Sequence, residues 1–370
     1  QSVSSDQNPK KGSTSSNSNA SKKGATGPRK RKKHRRGGKG GGKTHSKSFQ
    51  IDEEAVLRAK QRFERKPPAM GLPKNLDPAP KKIEMNWKLT PVPKRIEREV
   101  HDIVCRPGEF GFLEDERVDE IADLLGNRPI SLEQALSLRS ALNQEKAVFS
   151  HGRLQRRARE MLRRYESGES VLSLSKRYDF PPVNLFRAIL SARNWSKNRI
   201  KETLKNPKRL NERDREEFSK AEEADKVSSV NQADTHTAAE VFEDILCAHF
   251  DFLDIRFRRQ EDLLREQKQS EGRAVLTPDL LLLDDVRING VPCAWIDAKH
   301  FYGADLRFPR KKTQKQVDRY VKEYGQGAIV YRHGFSGSLV QKGAILLDAS
   351  PLDLTPLDEF HESRAGGSHS

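Results

Sequence analysis

The chain has 370 residues, with 69 Lys and Arg against 53 Asp and Glu, a net charge of +16 and 34% apolar side chains, which leaves room for one or two packed domains beside long unpacked segments. Its three cysteines, Cys105, Cys247 and Cys293, form no Cys-x-x-Cys or Cys/His pattern, which argues against a disulfide framework, a zinc site or an organic cofactor anchored by them, and no apolar run approaches a membrane span. Positive charge concentrates in residues 1–48 and 151–220 while residues 221–370 are mildly acidic, so a polyanion, DNA first and RNA as the alternative, is expected to be gripped mainly outside the acidic stretch.

Residues 1–48 are rich in Ser, Gly, Asn and Lys and lack the apolar side chains that would offset ordering, so a disordered basic tail is expected. Within it, Arg29, Lys30, Arg31, Lys32, Lys33, Arg35 and Arg36 form a run dense enough for a nuclear import signal or a phosphate-binding arm. A nuclear location follows from the first reading; the start at Gln1 rather than Met leaves a removed organelle-targeting segment as the alternative. Residues 49–114 carry a short helical pattern around Ala55, Val56, Ala59 and Phe63 and then seven prolines between Pro67 and Pro93, which predicts a tether.

From 115 to 215 the spacing is helical. Val118, Ile121, Ala122, Leu124 and Leu125 make one stripe, and Ser131 is a cap for a helix over 132–142, with Glu133 and Gln134 near its start. A helix over 152–165 mixes Leu154, Ala158, Met161 and Leu162 with Arg156, Arg157, Arg163 and Arg164, which predicts a basic face for phosphates. Residues 170–190 read as helix, turn, helix, with Pro181 and Pro182 opening the second helix and Asn184 and Arg187 exposed on it for bases or phosphates. Residues 216–236 read as a linker and 254–276 as a charged insertion.

The carboxylates of interest lie further on. Asn289-Gly290 separates the apolar runs 280–283 and 293–296, the pattern of a tight hairpin. Asp279 opens the first strand, and Asp297 and Lys299 close the second, pointing the same way. Two carboxylates from adjacent strands can supply the hard oxygens that magnesium or manganese prefers, with Lys299 beside them to steady charge on a phosphate or handle a proton. A turn residue with a strand-end ion pair is the competing structural reading. Residues 237–249 form a helix carrying Glu240 and Glu243; Arg310 and Lys311 sit in a basic loop over 301–312; a helix over 311–324 and strands over 328–331 and 344–347 complete an α/β domain over 237–350 with a mixed sheet flanked by helices. Residues 351–370 read as a tail.

Pro278-Asp279 followed by Asp297-Ala298-Lys299 resembles the PD-(D/E)xK nuclease superfamily, with restriction-endonuclease-like and Holliday-junction-resolvase-like folds. Thr277-Pro278-Asp279, then Trp295 to Lys299, Gln316 and Tyr320, a Gly-x-Gly, and Tyr331-Arg332-His333-Gly334-Phe335 are similar to the codanin-interacting nuclease family, known for its TPD motif. The resemblance implies a magnesium-dependent, nuclear nuclease acting on DNA behind helix-turn-helix modules, with a codanin-like partner and, as in many resolvase-like enzymes, a homodimer. It implies Asp279, Asp297, Glu240 and the Ala298 carbonyl as metal ligands, with Glu243 as the rival to Glu240, Lys299 as the catalytic lysine, and Gln316 as the glutamine of the following helix. Asp297 stands where the family's usual residue is glutamate. The alternative implied is an adaptor or DNA-binding scaffold that keeps the fold and cuts nothing.

Overall fold

The proline-rich stretch expected to be a tether is built into the fold. In this computed structural model, which describes residues 51–225 and 232–366, helix α1 (Glu53–Gln61) is capped by Asp52 and buries Ala55 and Ala59. Strand β1 (Lys82–Met85) joins a sheet, and helix α2 (Lys94–Val104) buries Ile96, Val100 and Val104. Proline forbids helix interiors but not extended chain lying along a surface. The anchors of that chain, Ala69, Leu72, Trp87 and Val92, are spaced too irregularly to register as periodicity. The basic run 29–36 lies outside the described residues.

Helices α3 (Asp115–Leu125) and α4 (Leu132–Phe149) follow. The expected cap forms: Ser131 Oγ accepts from the Gln134 amide at 3.2 Å, and Gln134 Oε1 accepts from the Ser131 amide at 2.9 Å. The helix runs on past residue 142 to Phe149. Val100, Ile121 and Leu138 of this layer pack with Tyr302 and Ala304. The single helix expected over 152–165 is two, α5 (His151–Arg156) and α6 (Ala158–Glu166), broken where Arg157 has φ −97° and ψ 2°.

Helix α7 (Val171–Tyr178) ends at Asp179, which takes the left-handed conformation with φ 49° and turns the chain towards α8 (Pro182–Ala192). Around α8 lie α9 (Lys197–Lys205) and α10 (Glu212–Ala224), the latter occupying much of the expected linker; residues 226–231 of that linker lie outside the described residues. Helix α8 buries Leu185, Phe186, Ala188, Ile189 and Leu190 and so forms the middle of its helical cluster.

Helix α11 (Gln232–Phe252) leads into β2 (Phe257–Arg259) and α12 (Gln260–Glu271), so the expected insertion is a strand and a helix of the fold. Then come β3 (Leu280–Ile288) and β4 (Val291–Lys299), joined by Asn289 and Gly290 with φ of 53° and 79°, the two positive values that a primed hairpin turn requires. The Asn289 side chain also clamps Trp87, accepting from its amide at 2.8 Å and donating to its carbonyl at 2.9 Å. Helix α13 (Arg307–Tyr324), which begins inside the expected loop, precedes β5 (Gly327–Tyr331), β6 (Ala344–Asp348) and α14 (Thr355–Gly366). Helix α14 replaces part of the expected C-terminal tail, because Leu357 is fully buried.

The sheet runs β1-β3-β4-β5-β6, with β2 also on β3. Strand β3 pairs antiparallel with β4 and β2 and parallel with β1, and β4–β5 and β5–β6 are parallel. The chain is therefore α/β with a mixed sheet flanked by helices. Alternation along β4 sends Ile296 to the α11 and α14 side and Trp295 to the α1, α12 and α13 side. Asp297 and Lys299 share the parity of Trp295.

Candidate functional site

Helices α11, α12 and α13 meet at the N-terminal end of β3 and the C-terminal end of β4. Leu280 pairs with Ile296, so Asp279, one residue earlier, lies beside Asp297. Asp279 is buried; its Oδ2 accepts from the Ala298 amide at 2.6 Å and its Oδ1 from Gln260 Nε2 at 2.9 Å. Asp297, also buried, accepts from Gln316 Nε2 at 3.1 Å and forms an ion pair with Lys299. Gln316 is held in turn by the Tyr320 hydroxyl at 3.1 Å, and that hydroxyl donates to the Thr277 carbonyl at 3.1 Å. These contacts tie strand, helix and the Thr-Pro-Asp turn into one network.

Of the two helix acids, Glu243 is the one on the wall. It lines a cavity of about 950 Å³ together with Asp279, Asp297, Ala298, Lys299 and Gln316. Glu240, one turn away, is exposed and paired with His236 at 3.0 Å. The helical repeat explains the difference: positions three apart differ by about 60° around the axis at 3.6 residues per turn, and Phe242 and Leu246 bind the helix to the sheet with Glu243 turned towards the strand ends.

The electrostatics are those of crowded acid. Burial pushes Asp279 well above the usual carboxylate range, and Asp297 and Glu243 add to it, against Lys299 and the Ala298 amide. Burial also raises Glu243, with Asp297 adding and Lys299 opposing. Burial alone would lower Lys299, but Asp297, Asp279 and Glu243 outweigh it and hold the ammonium above its ordinary value. A divalent cation would reverse the logic for the carboxylates.

Among the described residues no three His, Cys, Asp or Glu side chains already converge as a metal cage. Asp297 is engaged by Lys299 and Gln316, and Asp279 by Gln260 and Ala298. The donor set nevertheless suits magnesium, which takes one or two carboxylates and fills its remaining positions with water and phosphate oxygen.

Sequence reasoning missed Gln260, which reaches Asp279 from the stretch read as an insertion; nothing in its local sequence marks it. It also missed Lys315 and Arg319, which line the cavity from α13 together with Lys312 of the expected basic loop; their i, i+3, i+7 spacing was the available signal. Arg310 and Lys311 are exposed in the first turns of that helix, but Arg310 is paired with Asp305 at 2.7 Å.

The expected DNA-reading surface is altered. Arg156 and Arg163 are exposed, whereas Arg157 pairs with Glu160 at 3.1 Å and stacks on Tyr178, and Arg164 lies 3.6 Å from both Glu160 and Glu169. On α8, Arg187 is exposed and Asn184 is half-buried. Asn184 and Arg187 thus lie on the stripe of α8 that is not spent on the surrounding cluster, and the first turn of the helix is held by Asp225 accepting from the Val183 amide at 3.2 Å.

No helix among the described residues is long and apolar enough to cross a membrane. No solved structure matches the chain. An uncharacterized protein of Acanthamoeba polyphaga mimivirus is 31% identical over 104 residues, 27% of this chain and 36% of the viral protein, so the chain spans about a third of that relative's length. Residues 210–350 match the model of a family described as a protein of unknown function with a TPD sequence motif. Thr277-Pro278-Asp279 falls inside the matched segment, and residues 210–350 thus carry the sequence signature of the TPD-motif family.

Proposed function

We propose that the chain is a metal-dependent nuclease of the PD-(D/E)xK type that hydrolyses phosphodiester bonds of DNA. The observation that carries this reading is the convergence of Asp279, Asp297 and Lys299 from the strand ends on one cavity to which α13 brings Gln316, Lys312, Lys315 and Arg319. Carboxylates beside basic side chains suit a phosphate bridged to a cation. Asp279 and Asp297, with the Ala298 carbonyl and Glu243 nearby, would hold magnesium or manganese, which when bound supplies charge to a phosphoryl oxygen and lowers the pKa of water.

The chain's own residues do the rest. Gln316 and Gln260 fix the orientation of Asp297 and Asp279. Lys299, charged and released from Asp297 when the carboxylate turns to a cation, would stabilise negative charge growing on the phosphate. Lys312, Lys315 and Arg319 would hold the flanking backbone, which makes binding steeply salt-dependent. The nuclear location rests on the run 29–36, and a codanin-like partner on the family resemblance.

An adaptor that keeps the fold without cutting is the second reading, favoured by the Lys299–Asp297 ion pair across the site. Purified wild type and Asp279→Asn incubated with labelled single-stranded, duplex, flapped and four-way-junction DNA and RNA, with magnesium, manganese or EDTA, decide between them. Metal-dependent products from the wild type alone are expected. A folded wild type that binds the panel and yields none would turn the reading to the adaptor, or to a nuclease that needs its partner.

A further inference from the structure

A second cavity, of about 360 Å³, opens beside the acidic cluster, and Lys299, Lys312 and Gln316 line both. One side of it is aromatic: Phe301, 41% exposed, and Phe308 with Pro309 offer flat apolar surfaces. From α4 the same space is lined by Ser137, Ser140 and Gln144. Ser137 Oγ accepts from the Tyr302 amide at 2.8 Å, which fixes the oxygen and leaves its hydrogen to donate. Ser140 turns its hydroxyl onto the Leu136 carbonyl at 3.3 Å, presenting its carbon side to the space. The two sides are locked together, because Glu145 of α4 accepts from the amides of Arg307 and Phe308 at 3.2 and 2.7 Å. The recess is therefore preformed.

We propose that this recess takes one unstacked nucleobase of the strand whose phosphate lies on the acidic cluster, so that the substrate is single-stranded at the nucleotide next to the scissile bond. The proposal rests on the nuclease reading above and deepens it. A base carried by a backbone held on Lys299 and Lys312 is covalently close to the recess, and aromatic faces with few polar groups suit a base of any identity. A paired base would first have to leave its stack, which is unfavourable in a duplex and nearly free in a flap, gap or end. The size of the space matches the lower end of ligand pockets, which also favour apolar walls with a few convergent polar groups.

The test uses the full chain in EDTA, so that binding is read without cleavage, and a series of single strands carrying 2-aminopurine at successive positions. Phe301→Ala removes a half-exposed wall, and Ser140→Phe fills the recess from the other side; melting curves establish that each folds. The expected result is a change in 2-aminopurine emission on wild-type binding that both variants lose, with about tenfold weaker single-strand binding, the size of one lost stacking contact, and unchanged duplex binding. With magnesium, wild type should cut flapped or single strands in preference to blunt duplex. Emission insensitive to both variants overturns the recess, as does equal cutting of blunt duplex, although the latter leaves the nuclease standing. A base signal that both variants abolish without any metal-dependent product supports the recess and overturns the nuclease instead.

Discussion

Asp279 meets two opposed demands. Its backbone opens a buried strand, where a charged side chain is unfavourable, and its carboxylate is crowded by Asp297 and Glu243. A carboxylate whose folded pKa is raised contributes stability that is fully present below its unfolded value, about 4, and lost as pH rises through the folded value. Asp279→Asn removes that loss. In EDTA the variant is therefore expected to melt no lower than wild type at neutral pH and to lose its relative advantage as pH falls towards 4, as thermal melts across pH would record. Adding magnesium or manganese at neutral pH should raise the wild-type Tm and leave the variant's unchanged, because a ligand stabilises only the state that binds it. A variant that melts far below wild type at every pH would make Asp279 a structural hydrogen-bond acceptor for Ala298 and Gln260.

Between elements, the Gly-x-Gly that ends α13 and opens β5 sets how closely the sheet and its helices approach. Gly325 has φ +88°, and a Cβ there would lie 2.3 Å from the Ala59 nitrogen and 2.5 Å from the Ala55 carbonyl of α1. Gly327 lies flat against the buried Trp295 ring, where a Cβ would be 2.1 Å from Cε2. Trp295 donates to the Gly325 carbonyl at 2.9 Å and packs on Tyr320 with ring centroids 4.9 Å apart, and Tyr320 holds Gln316. Gly327→Ala is thus an overpacking change, expected to destabilise by about 1–3 kcal/mol in urea melts and to weaken cleavage by displacing Gln316, though it touches no carboxylate. A variant as stable as wild type would mean that Trp295 has somewhere to go. The same scale bears on α8: its turn and prolines made a helix-turn-helix pattern legible, and the packing around it leaves Arg187 exposed and Asn184 half-buried.

For the molecule as a whole, the segment 51–114 is the part on which the rest most depends. Arg62, buried, donates to the Ala59 carbonyl at 2.6 Å and the Asp284 carbonyl at 2.5 Å; burial lowers its pKa to about 10. The buried Asp284 side chain collects the amides of Lys81 at 2.9 Å and Arg256 at 2.8 Å and the Arg256 guanidinium at 2.7 Å. Strand β1 covers an edge of β3 that would otherwise expose its hydrogen-bonding groups. A chain beginning at Asp115, the boundary that composition recommends, should aggregate or fail to give a cooperative melt, whereas one beginning at Lys47 should melt like the full chain. Cooperative melting of the shorter chain would show the segment to be an ornament on an independent core.

Neighbours along the chain encode the Asn289-Gly290 hairpin, the Ser131 cap, the strand parity that sets Asp297 and Lys299 on one face, and the α/β pattern of the C-terminal half, because each depends on residues within a turn or two of one another. Packing across the fold settles which of Glu240 and Glu243 turns to the strand ends, that Gln260 and the α13 lysines complete the cavity walls, which face of α8 is spent on its cluster, and that a proline-broken segment is a strand and two helices of the core. Those outcomes depend on contacts beyond the reach of local periodicity, from 19 positions for Gln260 with Asp279 to 222 for Arg62 with Asp284.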